Sequence, residues 1–521
     1  MAAREKFMRA VFLLFDSLNR TALGCYGGEQ IATPNFDRFA RRAVTFDSHY
    51  VGSLPCMPAR RDMHTGRLNF MHRSWGPLEP FDNSMPEILK TAGVYTHLIS
   101  DHFHYFEDGG ATYHSRYRTW EFMRGQEYDP WIAMVEPPIE RFKEMYSDRH
   151  YNVPTEPKRR QHQINREKIR LEEEYPGPQC FERAFKFLDD NRGADNWMLH
   201  LECFDPHEPF HAPDKYKDSY RTSYNGPILD WPKYAPVRES ELEIAEIRAN
   251  YAALVAMCDA YFGKLLDYFD KHNLWEDTCL IMTTDHGFLL SEHDWWGKNL
   301  TPYYEEISHI PLIVHHPRFA DRAGTRVGEL TQTTDLMPTL LDIFDRPSPP
   351  EVTGRSLLPI MDGGKGPDAI IFGMFGGPVG VTDGEYSYFR YPANLLDEQL
   401  GEYTLMPTHM TGFFNQNELK TVSLAEPFDF TKGQKLLRYD ALNEARRPPG
   451  LDGTKFGAFA SAIYDNASDP NQLRPVQNPT VEARLKDAIV RILREHDAPP
   501  EYFIWMSLDR GAAKSVETRE E

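Results

Sequence analysis

The stretch "PCMPAR" (residues 55–60) places a cysteine between two prolines and shortly before an arginine. A cysteine in an ordinary chain is most often a small buried hydrophobe. The prolines disfavour a regular helix or a central strand here, so we expect the thiol of Cys56 on a shaped turn. Arg60 would lower the pKa of a nearby thiol or neutralise an anion. The stretch therefore indicates chemistry without specifying the reaction.

Two acidic residues and a histidine follow strand-like apolar runs. Asp16 ends the run "VFLLF" (11–15), and Asp285 and His286 follow "IMTT" (281–284). A carboxylate and an imidazole side by side can reach one metal ion, while Gly287 lets the backbone turn away. Taken singly, Asp16 and Asp285 are more simply explained as caps of a turn or a helix. Their shared position at strand ends favours a metal site with Asp16 as a further oxygen ligand.

A second group of residues can carry positive charge or protons, and most of its members lie in loops after predicted strands: His102, His104, His207, Lys298 and, from the first stretch, Arg60. A lone histidine in such a place is more often a hydrogen-bonded structural residue, and a lone lysine is usually solvated. Acting together, these groups could neutralise a tetrahedral oxyanion and shuttle protons to a leaving group.

Strand-like runs separated by helical segments would position these residues. Strands are predicted at 11–15, 94–99, 197–203, 279–283 and 311–314, and helices at 33–40, 85–92, 241–270 and 335–341. This alternation predicts an α/β fold with a large, mainly parallel (mixed) sheet sandwiched by helices. Ligands in such folds bind beyond the carboxyl ends of the strands, which is where Asp16, His207 and Asp285 fall.

Two domains are expected. Residues 1–375 would form the catalytic α/β domain, and residues 376–521 a smaller C-terminal α+β subdomain with a hairpin at 382–385 and an amphipathic helix at 481–495. Residues of about 125–180 interrupt the alternation of strands and helices and are predicted to be an insertion. A solvated helical excursion is the simpler interpretation of this insertion, and a lid or an oligomer contact is the other.

Composition limits the class of protein. The chain has 521 residues, a formal net charge of −20 and six cysteines without CxxC spacing. Such acidity disfavours a nucleic-acid partner, and no apolar stretch reaches membrane-spanning length. With no visible signal peptide, the cysteine pattern fits a reducing cytoplasm and argues against structural zinc. We expect a cytoplasmic enzyme that forms a homo-oligomer.

The residues around Cys56 fit the pattern C-x-P-x-R-x4-T-G, and this stretch resembles the signature of the type I sulfatases of the alkaline phosphatase superfamily. Further stretches resemble that family in the same order along nearly the whole chain: "TPNFDRFARRAVTF" (33–46), "DPHEPF" (205–210), "TTDHGFLLSEHDWWGK" (283–298), "DLMPTLLDIFDRP" (335–347) with "TGRSLLP" (353–359), and "YDNASDPNQL" (464–473). An ordered set of this kind is far more specific than a single short motif.

The resemblance implies that Cys56 is oxidised to formylglycine (3-oxoalanine) by a formylglycine-generating enzyme. One hydroxyl of the hydrated aldehyde, activated by a metal and held by Arg60, would attack the sulfur or phosphorus of a small anionic ester. His207 and Lys298 would bind the oxyanion and assist the leaving alcohol, and the second hydroxyl would lose its proton to His104. The aldehyde would then re-form by cleavage of a C–O bond.

The resemblance also implies one divalent metal ion, held by Asp16, residue 56, Asp285 and His286. Ligands dominated by oxygen favour Ca²⁺ first, with Mn²⁺ or Mg²⁺ next. His102 would join His207 and Lys298 in binding the substrate.

Two departures from the common sulfatase pattern resemble the phosphonate monoester hydrolase and phosphodiesterase branch: Ser17 in place of a second aspartate, and Asp285-His286 in place of Asp-Asn, although Asp-His also occurs in sulfatases. A third departure, His102-Phe103-His104 in place of Lys-Trp-His, removes a fixed positive charge and favours a singly charged substrate. Our first hypothesis is a sulfuric ester hydrolase that cleaves a small organic sulfate monoester. The alternative is a formylglycine-dependent phosphonate monoesterase or phosphodiesterase with promiscuous sulfatase activity. A third hypothesis is an unmodified, catalytically silent binding protein.

Two C-terminal stretches carry weaker expectations. The apolar, aromatic stretch at 394–414 would either shape the substrate pocket, with Tyr403 and His409 contributing to specificity, or pack on the main sheet. The stretch "EYFIWMSLD" (501–509) is expected to dock on the body of the protein or on a neighbouring subunit.

Overall fold

The computed structural model describes residues 8–151, 157–392, 400–441 and 460–509. Its strands are β1 (Arg9–Phe15), β2 (Val44–Tyr50), β3 (Tyr95–Ser100), β4 (Thr119–Phe122), β5 (Trp197–Cys203), β6 (Ala235–Pro236), β7 (Thr278–Thr284), β8 (Leu289–Leu290), β9 (Trp295–Gly297), β10 (Leu312–His315), β11 (Arg326–Gln332), β12 (Ile370–Gly373), β13 (Val379–Thr382), β14 (Tyr386–Arg390), β15 (Gly401–Thr404), β16 (Ser423–Ala425), β17 (Leu436–Asp440) and β18 (Ala462–Asp465). Its α-helices are α1 (Pro34–Ala40), α2 (Cys56–Thr65), α3 (Met85–Thr91), α4 (Ala111–His114), α5 (Ile139–Met145), α6 (Pro157–Arg166), α7 (Pro176–Asp190), α8 (Asp214–Lys217), α9 (Glu241–His272), α10 (Glu305–Ser308), α11 (Leu336–Ile343), α12 (Leu358–Met361), α13 (Gln416–Thr421), α14 (Pro479–Glu495) and α15 (Pro500–Trp505).

The largest sheet has eight strands in the order β11-β2-β10-β7-β1-β5-β3-β4. At its centre β1 lies parallel to both β5 and β7, and β3 is parallel to β5 and β4. Strand β10, predicted at 311–314, runs antiparallel to both of its neighbours and makes the sheet mixed. The predicted large, mainly parallel mixed sheet is therefore confirmed.

Both faces of this sheet are covered by helices, which explains why β1 is apolar at six consecutive positions and buried throughout. Successive side chains of a strand point to opposite faces. Val11, Leu13 and Phe15 pack in one hydrophobic core with residues of α7 and α9, whereas Phe12 and Leu14 pack in another with residues of α3 and α11. A strand that is buried on both faces has a continuous apolar sequence, and β1 has one.

The long helix α9, predicted at 241–270, begins with a capping box in which the Ser240 side chain accepts from the Glu243 backbone N–H and the Glu243 side chain accepts from that of Ser240. It ends at Asn273 in the left-handed conformation. Tyr251 within α9 donates from its hydroxyl to the carbonyl of Ser17 at 3.0 Å. The helix thereby anchors the loop that follows β1.

The C-terminal part contains a four-stranded antiparallel sheet in the order β12-β13-β14-β18. The hairpin predicted at 382–385 joins β13 to β14, and the predicted amphipathic helix is α14, whose apolar side packs on this sheet. Helix α15 docks on the chain's own body, with Tyr502 against Phe70 at 6.4 Å between ring centroids. The division into two domains stays a prediction; this sheet begins with β12.

The predicted insertion at 125–180 contains α5, α6 and the start of α7, and residues 152–156 within it lie outside the described part. Four of its residues, Phe142, Tyr146, Tyr151 and Ile164, form a small hydrophobic core together with Trp231 from outside the segment. The segment is thus a packed unit rather than a fully solvated helix.

All six cysteines lie within the described residues, and each is a free thiol. Among the described helices, none combines the length and the apolar character that crossing a lipid bilayer requires.

Candidate active site

Asp16 and Asp285 lie side by side at the carboxyl edge of the central sheet. Strands β1 and β7 pair in parallel register up to Phe15 and Thr284, so the residue after each strand emerges at the same edge. Candidate ligand atoms of Asp16, Cys56, Asp285 and His286 all lie within 4.8 Å of one another, and all four residues are buried. The structure thus brings the four residues predicted as metal ligands into one cluster.

Gly287 allows the chain to turn directly after this pair. A Cβ atom at this position would lie 1.8 Å from the carbonyl oxygen of Glu306, so a larger residue does not fit. The Nδ1 atom of His286 donates to the Gly287 carbonyl at 3.0 Å. Its Nε2 atom is therefore left as an acceptor, 3.1 Å from the Sγ of Cys56.

Cys56 is the first residue of helix α2, so the expectation of a turn without regular helix is wrong. Pro55 is the N-cap and Pro58 lies in the first turn, where backbone N–H groups have no partner within the helix and proline is tolerated. Burial and the charge of Asp16 raise the pKa of the Cys56 thiol well above its usual value. Arg60 lowers this pKa as expected, but burial and the carboxylates of Asp16 and Asp285 outweigh it, and three carboxylates neutralise the guanidinium.

Those carboxylates surround Arg60, which is 1% exposed. Its Nε donates to Glu202 at 2.6 Å, Nη1 to Asp285 at 2.6 Å and Nη2 to Asp16 at 2.8 Å. Nη1 also donates to the carbonyl of Cys56 at 2.9 Å. Burial opposes the charge, but Glu202, Asp285 and Asp16 raise the pKa of Arg60 well above its ordinary value. The guanidinium is a fixed charge that joins α2 to three strands of the sheet.

Lys298 and His207 lie on the other side of Cys56. The Nζ of Lys298 is 3.6 Å from the Cys56 Sγ, 2.6 Å from the Nε2 of His207 and 3.2 Å from the Ser17 hydroxyl. Burial opposes the charge of Lys298, but Cys56 and Glu208 raise its pKa above the ordinary value. The Nδ1 of His207 bonds to the backbone carbonyl of Glu208, which orients the ring. A cation and an oriented imidazole thus border the sulfur atom.

The loop after β3 carries the two other predicted histidines. The Nε2 of His102 lies 3.4 Å from the Asp16 carboxylate, and burial and Arg60 lower the pKa of His102 well below its ordinary value. His104 is bound through Nδ1 to Glu107 at 2.6 Å, while its Nε2 lies 3.9 Å from a carboxylate oxygen of Glu127. His102 is thus next to the metal-ligand cluster, and His104 is held between two glutamates.

A cavity of about 1130 Å³ opens above this cluster and is lined by Cys56, His104, His207 and Lys298. Its walls carry aromatic residues from distant parts of the chain: Trp75, Tyr128, Trp231, Tyr234, Phe375 and Phe413. His409 also lines it and bonds to Glu418. Tyr403 does not border the described cavity, and its hydroxyl donates to Glu501. The cavity is large enough for an ester with a ring-sized alcohol half.

Sequence reasoning missed three acidic residues of the site: Glu107, Glu202 and Glu208. Glu202 had a detectable signal, because it is a charged residue inside the otherwise apolar strand β5. Glu107 and Glu208 lie three residues and one residue after a predicted histidine, a spacing from which an orienting partner could have been inferred.

A mixed sheet covered by helices, with a buried acidic cluster at its carboxyl edge and a cationic cavity above, defines a hydrolase of the alkaline phosphatase superfamily. Residues 9–346 match the family model described as Sulfatase. The chain belongs to the sulfatase family, and its enzyme class is that of a sulfatase.

Two relatives are similar to this chain over most of their length. N-acetylglucosamine-6-O-sulfatase of Bacteroides thetaiotaomicron is 25% identical over 434 residues, 74% of this chain and 74% of the relative. The multifunctional alkaline phosphatase superfamily protein PehA of Trinickia caryophylli is 26% identical over 389 residues, 65% of this chain and 73% of the relative. The first name is that of a sulfatase, and the second is that of a multifunctional member of the same superfamily.

Solved structures share the fold. The phosphonate monoester hydrolase of Agrobacterium radiobacter superposes with a TM-score of 0.63 at 17% identity, covering 94% of this chain and 95% of that one. A protein solved in complex with its substrate D-glucosamine-2-N,6-O-disulfate superposes with a TM-score of 0.64 at 16% identity, covering 95% and 99%. At these identities the likeness establishes the fold alone.

Proposed function

We propose that this sulfatase hydrolyses the sulfate monoester of a small alcohol and that Cys56, converted to formylglycine, carries the nucleophile. The observation that supports this most directly is the position of Cys56, between Lys298 at 3.6 Å and His286 at 3.1 Å. It lies at the inner surface of a large cavity, where a bound ester could reach it. The chain's family adds the expectation that the cysteine is modified.

The residues present fit a divalent metal ion. The cluster offers two carboxylates, residue 56 and an imidazole whose Nε2 is an acceptor because its Nδ1 donates to Gly287. Hard oxygen ligands of this kind favour Ca²⁺, with Mn²⁺ or Mg²⁺ next. When bound, the ion would lower the pKa of a hydroxyl on residue 56 and neutralise charge on the ester. Asp16, Asp285, His286 and residue 56 would hold it.

The other residues have distinct proposed roles. Lys298 and His207 would bind the oxyanion and assist the departing alcohol, with Lys298 supplying the proton, because the Nε2 of His207 accepts from Lys298 while its Nδ1 bonds to the Glu208 carbonyl. Arg60 would hold Asp16 and Asp285 in place and orient the backbone of residue 56. His104, with Nε2 as an acceptor in the cavity, would accept a proton from residue 56 during release of the sulfate. His102 would contribute to substrate binding beside Asp16.

A second function, hydrolysis of phosphonate monoesters or phosphodiesters, is favoured by the similarity to a phosphonate monoester hydrolase. Position 102 is a histidine whose pKa is lowered by burial, so it adds no fixed positive charge. A site with that charge balance suits a singly charged ester, and sulfate monoesters, phosphonate monoesters and phosphodiesters all provide one.

Two measurements test these proposals. Mass spectrometry of the peptide that carries Cys56, from protein co-expressed with a formylglycine-generating enzyme, should give the mass of formylglycine. An intact thiol under those conditions would contradict the proposed nucleophile and favour a silent binding protein. Rates on an aryl sulfate and an aryl phosphonate, measured side by side on the modified protein, then decide between the two activities. We expect the sulfate to have the larger kcat/KM.

We further propose a cytoplasmic location, a homo-oligomeric state, and a formylglycine-generating enzyme as the partner that modifies Cys56. The six free thiols and the net charge of −20 support a reducing compartment and a partner other than nucleic acid. We retain the division into a catalytic domain of residues 1–375 and a C-terminal subdomain of residues 376–521 as a proposal.

A further inference from the structure

The turn at residues 125–129 brings part of the predicted insertion into the cavity wall. Glu127 and Tyr128 from this turn, and Lys158 from the start of α6, line the same cavity as Cys56 and Lys298. The insertion is therefore part of the site that receives the ester, and its side chains face the half of the ester that Cys56 does not attack.

Glu127 adopts a left-handed backbone conformation, with φ of 44°. This conformation is unfavourable for a residue with a Cβ atom, and it persists only where the surroundings enforce it. A glycine would relieve this cost, yet the chain carries a glutamate here. Backbone conformations of this kind cluster at sites that place a side chain for function.

The surroundings do enforce this conformation. The carboxylate of Asp129 accepts from the Arg124 side chain at 2.7 and 2.8 Å and from the backbone N–H of Gly125 at 2.9 Å. Gln126 donates to Asp101 at 2.8 Å, and Asp101 accepts from the backbone N–H of Phe204 at 2.7 Å. The turn is thus fixed to the carboxyl ends of β3 and β5, the strands that position His104 and His207.

The Glu127 carboxylate itself receives no hydrogen bond from the residues that the structure describes. Its side chain is 11% exposed, and the nearest basic atom is the Nε2 of His104 at 3.9 Å. By contrast, its neighbour Glu208 is held by the Tyr234 hydroxyl and pairs with Lys298. The Glu127 carboxylate thus faces the cavity with hydrogen-bonding capacity that a ligand bound there can use.

We propose that Glu127 is a specificity-determining residue that hydrogen-bonds a hydroxyl group on the alcohol half of the ester. The substrate would then be the sulfate ester of a hydroxylated alcohol. This inference rests on the proposed function. The adjacent ring of Tyr128 and the ring of Trp231 supply apolar surface against which the carbon skeleton of such an alcohol can pack.

The charges around Glu127 favour a neutral hydroxyl over a cationic group. Two positive charges, Lys298 and Lys158, and two negative charges, Glu208 and Glu107, act on Glu127. His104 lies next to its carboxylate. Burial, followed by the charge of Glu208, raises the pKa of Glu127 well above its ordinary value. A protonated carboxyl group can both donate to a hydroxyl and accept from one, whereas it offers no charge to a cation.

The test compares two kinds of substrate on enzyme co-expressed with a formylglycine-generating enzyme and loaded with Ca²⁺. One is para-nitrophenyl sulfate, whose alcohol half has no further hydroxyl, and the other is the set of glucose monosulfate isomers. We expect Glu127→Ala to lower kcat/KM for the preferred glucose ester by about tenfold to a hundredfold, the effect of one lost hydrogen bond. Glu127→Gln, whose amide can also donate and accept, should lower it less. The aryl ester should change by less than about threefold.

Glu136→Gln is the matched control, because it removes an exposed carboxylate of the same segment that does not line the cavity. Equal losses on both substrates would overturn the inference and assign Glu127 to the chemistry or to the fold. It is also overturned if the wild-type enzyme hydrolyses the aryl ester and none of the glucose esters. If the wild-type enzyme, with formylglycine verified by mass, hydrolyses neither kind, it is the proposed function that fails.

Discussion

The Nδ1 atom of His104 lies 2.6 Å from a carboxylate oxygen of Glu107, three residues further along the chain. A carboxylate only accepts hydrogen bonds, so Nδ1 carries the proton and Nε2 is left as an acceptor. Because His104 lines the cavity beside Cys56, this tautomer is the one required of a group that takes a proton from residue 56. Glu107 is thus a positioning residue for the proposed base.

Replacing Glu107 by glutamine should impair the reaction without unfolding the site. The amide can donate to Nδ1 and so favour the wrong tautomer, and we expect kcat to fall about tenfold to a hundredfold with KM nearly unchanged. Steady-state kinetics measure kcat and KM separately.

Asp108→Asn is the control for this variant, because Asp108 is the next acidic residue and is exposed. Its kcat and KM should match those of the wild type. An equal change of kcat and KM in Glu107→Gln would instead assign Glu107 a merely structural role.

The parts of the site that could be predicted lie at the ends of long apolar strands. The runs 11–15 and 197–203 specify buried parallel strands, and parallel strands bring the residues that follow them to one edge. Asp16, Asp285 and His207 were therefore expected to meet, and they do lie in one site. The sequence also predicted the long helix α9 and the hairpin before β14 from local patterns, and both are present.

The remainder depends on contacts between distant segments, for which the sequence gives no local signal. Trp231 and His409 reach the cavity wall from loops far apart in the chain, and Glu202 acquires its role from the burial of Arg60. The helix at Cys56 was missed because proline is a poor helix former in general but is tolerated in the first turn. The antiparallel direction of β10 appears only in its pairing with β2 and β7, because its apolar run has no signal of strand direction.

Glu202→Gln should destabilise the protein. Glu202 is fully buried and shares its two oxygens between Arg60 and the hydroxyl of Tyr105, at 2.6 and 2.7 Å. The change removes one charge-assisted hydrogen bond, while Arg60 keeps Asp16 and Asp285 as ion-pair partners, so we expect a cost of about 1.5–3 kcal/mol. Urea unfolding followed by fluorescence measures the free energy of unfolding.

Tyr105→Phe provides a graded comparison, because it deletes one hydrogen bond to Glu202 and keeps the ion pair. We expect a loss of about 1–3 kcal/mol. Glu121→Gln removes a half-exposed carboxylate and should change the free energy of unfolding by less than about 0.5 kcal/mol. If Glu202→Gln is as stable as Glu121→Gln, the network around Arg60 does not hold α2 to the sheet.

Gly287→Ala should disrupt the loop that carries His286. The added Cβ would lie 1.8 Å from the Glu306 carbonyl oxygen, which belongs to backbone and has little room to move. Forcing extra volume into such a place costs about 1–3 kcal/mol or more. Gly193→Ala is the matched control, since a Cβ there meets nothing within 4 Å. Equal thermal midpoints for the two variants would contradict this account.

Chelation tests the metal site through a property other than activity. If Asp16, Asp285, His286 and residue 56 hold an ion, dialysis against EDTA should lower the midpoint of thermal unfolding, and Ca²⁺ should restore it. An ion present at a hundredfold excess over its Kd stabilises the folded state by about 2.7 kcal/mol. Asp285→Asn removes a charged ligand and should weaken Ca²⁺ binding in calorimetry, whereas Asp321→Asn, which alters an exposed residue, should bind as the wild type does. A midpoint that neither EDTA nor Ca²⁺ moves, together with no heat of binding, would show that the cluster is held by Arg60 alone.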